Sequence, residues 1–376
     1  MHRRPDGMQP VTAHIIAACR SAVVPRGGAF ATLSLDALGA PVLRAAIAQA
    51  GIDSAQVGEV ILSNAIGGGG NPARLIALAA GLPEHVAGLS IDRQCAGGLD
   101  ALLLARAMVV SGAADVVVAG GVESYSRRPL RLRTYADGRA AEPYEQPPFA
   151  PWPARDPGMA DAADALATAW GISRADQDAW AIDSHAKARA TPPSADEIVA
   201  LKGQKSDAFT RDMTPALAAR AKIITGSITS ANMAVAADGA AFCVVVSERV
   251  RARLRLDGIA ILGGATKGDR PEAPGIAPLA AISAAFAQTG VTAKDIACAE
   301  VMEAFAVQAV ACVKGAHLDP ARVNIGGGAL ARGHPIGASG TINAVRLYHE
   351  LRNSGGTGIA TIAAAGGIAT ALVLSA

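Results

Sequence analysis

Several residue types are scarce in this chain, and each scarcity excludes a class of protein. Aromatic residues make up only 3% of the 376 residues and charged residues 18%, and the formal net charge is +2. A charge this small does not indicate nucleic acid as a partner. No uninterrupted apolar run reaches the roughly 18 residues that span a bilayer, and residues 1–10 are polar, without the apolar stretch of a signal peptide. We therefore expect a cytoplasmic protein with neither nucleic acid nor a membrane as partner.

Cysteine is also scarce, and its spacing excludes two kinds of scaffold. The cysteines are Cys19, Cys95, Cys243, Cys298 and Cys312, with no Cys-x-x-Cys pair among them. This spacing argues against a zinc site and against a disulfide framework, so we expect no metal. All but Cys95 are best explained as small, buried core residues.

Apolar residues are plentiful instead, and their pattern predicts an α/β protein of two related halves. Hydrophobic residues make up 51% of a chain that is too long for one ordinary core. Apolar β-branched runs alternate with longer helical patterns. Residues 46–51 recur in similar form as 285–290, and Ser-Gly at 111–112 recurs at 354–355. We therefore expect two copies of one βαβ-rich unit, related by a pseudo-twofold axis.

The repeat also predicts where the halves divide. We expect an N-terminal half over residues 1–250 and a C-terminal half over residues 251–376. Residues 123–230 break the repeat, and we interpret them as a loop domain inserted into the first half. Long excursions of this kind are usually functional.

Cys95 lies directly before a predicted helix and beside Gly97 and Gly98. The unpaired N–H groups at a helix N-terminus lower the pKa of a thiol, and glycines allow a ligand close to the backbone. A nucleophilic cysteine would show this pattern, and so would a small buried residue at a tight turn.

One histidine, His334, lies in a glycine-rich loop over residues 324–340. It lies 33 residues after Val301 (334 − 301), nearly the place that Cys95 has in its own half, 35 residues after Val60 (95 − 60). In a pseudosymmetric pair, equivalent helix N-termini can converge on one cleft, where a histidine could take the proton of a cysteine. Phosphate binding is the competing explanation, but neither a GxGxxG nor a Walker spacing is present.

Four segments together resemble the thiolase superfamily, which includes acetyl-CoA acetyltransferases and 3-ketoacyl-CoA thiolases. They are RQCAGGL at 93–99, AGGVES at 119–124, MEAFA at 302–306 and GHPIGASG at 333–340, in the family's order. Weaker similarities extend the resemblance over nearly the whole chain. It implies duplicated αβαβα layered halves with an inserted loop domain, in a homodimer or homotetramer. It also implies coenzyme A or acyl-CoA as the substrate, with no tightly bound cofactor.

The resemblance assigns roles to particular residues. Cys95 matches the nucleophile that takes up the acyl group, and His334 matches the histidine that activates it. The backbone N–H groups of Cys95 and Ala365 would form an oxyanion hole. Glu303 falls in a family motif as a supporting residue. The residues expected to make an acyl pocket apolar are Met159, Met233, Met302 and Phe305.

Three positions depart from the thiolase pattern. Met302 stands where the family has an asparagine that holds a catalytic water, and Ala234 stands where it has a serine near the pantetheine. Ala363 replaces the second cysteine, which moves a proton. Loss of such a base typically costs about 10²–10⁴-fold in rate. We therefore expect an acyl-enzyme on Cys95, whereas the carbon–carbon step stays open.

Three functions are compatible with these residues. The first is thiolytic cleavage of a 3-ketoacyl-CoA, or condensation of acyl-CoA, in which His334 or the substrate replaces the missing base. The second is an acyltransferase or acyl-CoA hydrolase that delivers the acyl group to another acceptor. The third is a catalytically impaired CoA-binding subunit.

Arginines crowd one loop of the inserted region, at Arg127, Arg128, Arg131, Arg133 and Arg139. They could contact the phosphates of CoA, because guanidinium geometry suits phosphate. A solvated, charged loop is the explanation that we favour.

Overall fold

The computed structural model describes residues 12–376. The polar segment 1–10 lies outside the described residues, so the cytoplasmic location stays a prediction. Within the described part of the chain, one helical stretch, Gln94–Ser111, is long and apolar enough to cross a membrane. Half of it is buried inside the protein, and the core helices of soluble proteins pass the same test.

Helices and strands alternate as the sequence predicts, which confirms the α/β class. The helices are α1 (Leu35–Ala50), α2 (Pro72–Ala79), α3 (Gly97–Ser111), α4 (Met159–Trp170), α5 (Arg174–Ala190), α6 (Pro215–Ala219), α7 (Glu248–Leu254), α8 (Ala277–Thr289), α9 (Ala306–Gly315), α10 (Ala329–Arg332) and α11 (Ile336–Ser354). The strands are β1 (Ala13–Ser21), β2 (Val24–Pro25), β3 (Glu59–Ser63), β4 (Ala87–Ile91), β5 (Val116–Glu123), β6 (Leu132–Arg133), β7 (Glu142–Pro143), β8 (Ile198–Val199), β9 (Ile223–Thr225), β10 (Ile228–Thr229), β11 (Ala237–Ser247), β12 (Ile259–Gly268), β13 (Ile296–Val301), β14 (Thr357–Ala364) and β15 (Ile368–Ser375). The pattern missed β1, because this strand is buried on both faces and shows no alternation.

The strand order shows the repeat directly. One large sheet has the path β13-β14-β15-β12-β1-β11-β5-β3-β4, with β2 and β8 at its margins. The order β12-β15-β14-β13 in the C-terminal part repeats the order β1-β11-β5-β3 in the N-terminal part. The equivalent strands β1 and β12 pair antiparallel, with His14 opposite Ala260. The pseudo-twofold axis therefore passes between these two strands, and the division of domains near residue 250 stays a prediction.

Alternate residues of each strand face different cores, and this arranges the chain in layers. In β5, Val117 faces a central core and Val118 faces an outer core shared with α1 and α2. In β15, Leu372 faces the same central core, whereas Val373 faces a second outer core with α8 and α9. The central core contains α3 and α11. The layers are therefore helix, sheet, helix, sheet and helix, with the two central helices shared by both halves.

The two central helices cross at a glycine contact. A Cβ on Gly98 would lie 2.4 Å from the backbone nitrogen of Thr341, and a Cβ on Gly340 would lie 2.6 Å from that of Leu99. A side chain at either position would therefore force the closely packed helices apart. The Thr341 hydroxyl donates to the Gly98 carbonyl at 3.2 Å across the same contact. The N-termini of α3 and α11 are held side by side in this way.

The inserted region is partly irregular, as the sequence predicts. After β5 the chain forms the two-residue strands β6 and β7 and a 3₁₀ turn at Pro153–Arg155 before α4. The longer helices of this region are α4 and α5. Ser173 caps α5, because its hydroxyl accepts from the Asp176 N–H while the Asp176 carboxylate accepts from the Ser173 N–H.

A buried ion cluster ties the inserted region to the sheet and to α11. Glu197 is fully buried and accepts from Nε of Arg20 at 2.7 Å and from Nη1 of Arg346 at 2.6 Å. Arg20 lies on β1 and Arg346 on α11. Burial by itself raises the pKa of Glu197, but the two arginines outweigh it and bring the pKa down to about 2. Loss of this carboxylate would leave two buried guanidinium groups without their shared partner.

Glu197→Gln should therefore destabilise the protein. We expect a loss of about 3–5 kcal/mol in the free energy of unfolding at neutral pH, the usual cost of removing one partner from a buried ion pair. Urea denaturation measures this loss. As a control, Asp183→Asn removes the exposed partner of Lys187 and should cost no more than about 1 kcal/mol.

The pH dependence of the Glu197 effect has a defined sign. A carboxyl group whose folded pKa is lowered contributes stability above its ordinary pKa of 4.5, and this contribution disappears as the pH falls through about 2. The difference between wild type and Glu197→Gln should shrink only in that acidic range. Equal stabilities of the two proteins at neutral pH would contradict the importance of the cluster.

Candidate active site

Cys95 lies in a strained turn between β4 and α3. A 3₁₀ turn, Gln94–Ala96, directly precedes α3. Gln94 has a φ of 48°, in the left-handed region, and the Asp92 carboxylate stabilises the turn by accepting from the Gln94 backbone N–H at 2.8 Å. Strain of this kind persists where the surrounding structure must position a functional group. Here the turn places Cys95 in the wall of a cavity.

His334 approaches Cys95 from the other half of the chain. It lies between α10 and α11, and its backbone N–H donates to the Val235 carbonyl at 2.8 Å. The Cys95 sulfur and Nε2 of His334 are 3.1 Å apart, although the two residues are 239 positions apart in the chain. The two helix N-termini therefore converge on one site, as the repeat indicates.

The hydrogen bonds around His334 determine which ring nitrogen carries the proton. Nδ1 lies 2.6 Å from the Ser339 hydroxyl oxygen, and that hydroxyl donates its own hydrogen to the Pro335 carbonyl at 3.0 Å. The hydroxyl must therefore accept from Nδ1–H. Nε2 keeps its lone pair for the Cys95 thiol, which is the tautomer that a general base requires.

Burial keeps both groups of this pair neutral in the free protein. It raises the pKa of the Cys95 thiol to about 12, and the charges of Glu123 and Asp92 add to the increase. Burial also lowers the pKa of His334 to about 4. The sequence predicts a lowered thiol pKa at the helix N-terminus, and this prediction is wrong because desolvation outweighs the helix dipole. The pair is therefore neutral before any reaction, and a transfer of the thiol proton to His334 would accompany attack by the sulfur.

Glu123 fixes the chain segments on either side of the Cys–His pair. Its carboxylate accepts from the backbone N–H groups of Ala65 at 2.9 Å and Gly337 at 3.0 Å, and from Nδ2 of Asn64 at 2.7 Å. Because Gly337 is in the first turn of α11, the acid connects the loop after β3 to the helix that follows the histidine. Burial raises the pKa of Glu123 to about 7, against the lowering effect of the backbone donors.

The Cys–His pair opens into a cavity of about 620 Å³. This volume is typical of sites for small molecules and cofactors. Cys95, His334, Ala234 and the segment 363–365 all line it. Of the residues predicted for an acyl pocket, Met159, Met233 and Phe305 line it, whereas Met302 does not, because it is buried in the central core. The structure thus brings the predicted nucleophile, base, oxyanion donors and all the pocket residues except Met302 to one cavity, while their roles stay predictions.

The two motif residues that follow β13 are not part of the cavity wall. Met302 is 1% exposed and lies in the central core, where its thioether offers no donor to a water. Glu303 accepts from the Ser184 hydroxyl at 2.7 Å and from Nδ2 of Asn324 at 2.8 Å. It also accepts from the Leu330 backbone N–H at 3.1 Å. Glu303 therefore supports the glycine-rich loop from inside the protein.

Part of the arginine-rich loop also reaches the cavity. Arg128 and Arg131 line it together with Arg26, which is distant in sequence. Arg128 pairs with Glu145, and Arg131 donates to the Ala65 carbonyl at 3.2 Å. The expectation of a solvated, charged loop therefore applies only to Arg127, Arg133 and Arg139, which do not line the cavity.

Sequence reasoning missed the contributions of Ser339, Glu123 and Tyr125. Ser339 lies five residues after His334, and a hydroxyl in the first turn of the following helix is a recognisable signal for a residue that orients an imidazole. Glu123 lies in the AGGVES segment, where the resemblance assigns it no role. An acid that ends an apolar strand nevertheless indicates a buried, hydrogen-bonded carboxylate. Tyr125 lines the cavity two residues further on, and no spacing in the sequence indicates this.

Known proteins resemble this chain over almost its whole length. The family models "Thiolase, N-terminal domain" and "Thiolase, C-terminal domain" match residues 13–249 and 257–376. The acetyl-CoA acetyltransferase of Cupriavidus necator is 35% identical over 96% of this chain and 98% of its own length. The crystal structure of the Bacillus anthracis acetyl-CoA acetyltransferase has a TM-score of 0.91 at 32% identity, covering 97% of this chain and 98% of that one. Human mitochondrial 3-ketoacyl-CoA thiolase in complex with CoA has a TM-score of 0.90 at 27% identity, with the same coverage of both chains.

Cys95 should react slowly with a neutral alkylating agent at neutral pH, because its thiol is protonated there. With the thiol pKa raised to about 12, the rate of reaction with iodoacetamide should rise about tenfold per pH unit between about pH 6 and 9. Mass spectrometry of the Cys95 peptide measures this rate. A rate that stays level across the neutral range would show a thiolate–imidazolium pair and contradict the neutral one.

Proposed function

The chain belongs to the thiolase family, and we propose that it is an acyl-CoA acyltransferase that carries the acyl group on Cys95. Its class is that of the acyltransferases of the thiolase type. The reaction that we propose is thiolytic cleavage of a 3-ketoacyl-CoA, or the reverse condensation of acyl-CoA. The observation that carries this proposal is the 3.1 Å contact between the Cys95 sulfur and Nε2 of His334 inside the cavity.

The first half-reaction needs only groups that this chain has. Nε2 of His334 takes the thiol proton as the Cys95 sulfur attacks the carbonyl carbon of a thioester, or the 3-keto carbon of a 3-ketoacyl-CoA. The backbone N–H groups of Cys95 and Ala365 are the proposed donors to the oxyanion. When the tetrahedral intermediate collapses, CoA thiolate or the enolate of an acyl-CoA leaves, and the acyl group stays on the sulfur.

Features of the cavity support an acyl-CoA as the substrate. The human mitochondrial thiolase that this chain resembles was solved in complex with CoA. Met159, Met233 and Phe305 offer an apolar, adaptable wall to an acyl chain. Arg26 and Arg128 line the same cavity and offer guanidinium groups to the phosphates of CoA. The proposed chemistry uses CoA as a substrate and requires no tightly bound cofactor.

Ala363 favours a second candidate function, transfer of the acyl group without carbon–carbon chemistry. It lines the cavity at the position where thiolases have their second cysteine, and a methyl group moves no proton. Transfer from Cys95 to another acceptor, or to water, needs no proton at the α-carbon of a leaving acyl-CoA. The two functions therefore differ in whether a carbon–carbon bond is broken when CoA is released.

We also propose that the protein is a homodimer or homotetramer. β4 is the outer strand of the large sheet. Leu89 on this strand is 43% exposed, and Leu75 on α2 is 52% exposed. An exposed strand edge with apolar side chains can pair with a second copy of the chain. Light scattering after size exclusion tests this, and a monomer at micromolar concentration would contradict it.

The proposed function is tested by intact-protein mass spectrometry with acetyl-CoA and acetoacetyl-CoA, while free CoA is followed in the same samples. Wild type should form an acetyl adduct and Cys95→Ala should form none, because among the cysteines only Cys95 has a base from residues 12–376 within hydrogen-bond distance. Cys298→Ala is the matched control and should form the adduct as wild type does, since Cys298 is buried in β13 away from the cavity.

The products separate the candidate functions. Cleavage of acetoacetyl-CoA that depends on added CoA supports the thiolase reaction. An adduct and CoA release from acetyl-CoA without such cleavage support the second candidate. The absence of any adduct on wild type would overturn both and favour a CoA-binding subunit without acyl transfer.

A further inference from the structure

The cavity lacks an obvious group to move the proton of the carbon–carbon step. That step produces the enolate of an acyl-CoA, whose α-carbon must receive a proton. Ala363 cannot supply it. Among the described residues that line the cavity, those with a side chain that can exchange a proton are Cys95, Tyr125, Ser126, Tyr144, Glu145, His334 and the arginines. The Ser126 hydroxyl already donates to the Asp238 carboxylate.

The Cys–His pair is already committed to the acylation step. Nδ1 of His334 donates to Ser339, and Nε2 faces the Cys95 thiol, whose proton it receives. Once protonated, the imidazolium holds that proton until the Cys95 thiolate is released again. A second proton-transfer group is therefore needed for the α-carbon.

Tyr125 is held in the cavity wall by its neighbours in the chain. It follows β5 by two residues. The next residue, Ser126, donates from its backbone N–H to the Asp238 carboxylate at 3.0 Å. The backbone N–H of Arg127 donates to the Ser124 hydroxyl at 3.1 Å. These bonds on both sides of Tyr125 restrict where its ring can lie.

Tyr125 lines the same cavity as Cys95, and its hydroxyl can donate a hydrogen bond. Within residues 12–376 it has no hydrogen-bond partner. Burial raises the pKa of Tyr125, and a negative charge on Cys95 raises it further. The phenol is therefore a neutral donor at physiological pH, within electrostatic reach of the sulfur that receives the acyl group.

Glu145 and Tyr144 are less well placed than Tyr125 for this proton transfer. Glu145 is exposed and paired with Arg128. Tyr144 directly follows β7, a two-residue strand that is exposed at both positions. Tyr125, by contrast, lies two residues after Glu123, whose carboxylate accepts from the Gly337 N–H in the first turn of α11, close to the Cys–His pair in the chain. Tyr125 is therefore the group that the described residues favour.

We propose that Tyr125 is a catalytic residue, whose phenol moves the proton at the α-carbon that thiolases assign to their second cysteine. This inference rests on the proposed thiolase reaction. In this reaction Tyr125 replaces the proton-transfer group that is missing at Ala363.

The proton balance closes over one turnover. Attack by the Cys95 sulfur on the 3-keto carbon breaks the bond between the carbonyl carbon and the α-carbon, and the electron pair leaves as the enolate of an acyl-CoA. The Tyr125 O–H protonates that α-carbon and becomes a phenolate. The phenolate then takes the proton of the incoming CoA thiol, and the CoA thiolate attacks the acyl group on Cys95. The released Cys95 thiolate recovers its proton from His334.

The test compares two half-reactions in Tyr125→Phe. Acetoacetyl-CoA cleavage in the presence of CoA should fall about 10²–10⁴-fold, the usual effect of losing a general acid or base. Acetylation of Cys95 by acetyl-CoA should fall far less, since it uses His334. Exchange of the acetyl protons of acetyl-CoA with deuterated solvent should be lost together with cleavage. Tyr135→Phe is the matched control, because this exposed phenol donates to Glu142 outside the cavity.

A rescue variant separates chemistry from structure. Ala363→Cys in the Tyr125→Phe background restores a proton-transfer group at the family position, so it should recover at least about tenfold of the lost cleavage rate. Unchanged cleavage in Tyr125→Phe would overturn the proposal, and so would a parallel fall of cleavage and acetylation. A wild-type protein that is acetylated but cleaves no acetoacetyl-CoA would overturn it while leaving acyl transfer intact. Absence of acetylation would instead overturn the proposed function itself.

Discussion

The close crossing of α3 and α11 is the contact on which the site depends. Because neither Gly98 nor Gly340 has a side chain, the backbones approach until a Cβ on either would lie within 2.6 Å of the other helix. Cys95 lies three residues before Gly98, and His334 lies six residues before Gly340. The crossing therefore sets the 3.1 Å distance between a sulfur and a nitrogen that are 239 residues apart in the chain. The same duplication of strand order that pairs β1 with β12 places these two helices together in the central layer.

Burial in this central layer explains why Cys95 and His334 are neutral. Desolvation raises the pKa of Cys95 and lowers that of His334, so both hold their neutral forms without substrate. The hydrogen bond from Nδ1 to Ser339 then matters more than charge, because it selects the tautomer that can accept the thiol proton. Buried carboxylates complete the arrangement by satisfying backbone and side-chain donors around the pair rather than by reacting.

The site positions of the thiolase pattern differ in whether this chain keeps the family's residue. The groups of acyl transfer, Cys95 and His334, are present and in contact, whereas the positions of the water-holding asparagine and the second cysteine are Met302 and Ala363. Both replacements remove polar atoms from a buried region, where an unsatisfied polar group would be costly. The phenol of Tyr125 supplies a polar group from a different segment. A family motif can therefore lose a reactive residue while the cavity keeps the same kind of chemistry within reach.

The sequence by itself determined the α/β class and the repeat, and it singled out Cys95 and His334, which the structure brings into contact. Helix α1 is an element that local signals specify, namely its apolar spacing and the cap at Ser34. Only the tertiary structure decided that β1 joins the halves, that Glu197 links Arg20 to Arg346, and that Tyr125 lines the cavity. It also reversed the expected pKa shift of Cys95. The physical reason is the distance along the chain over which each interaction acts. Propensity, periodicity and capping act within a few residues, whereas burial and hydrogen-bond partners come from distant segments that folding brings together.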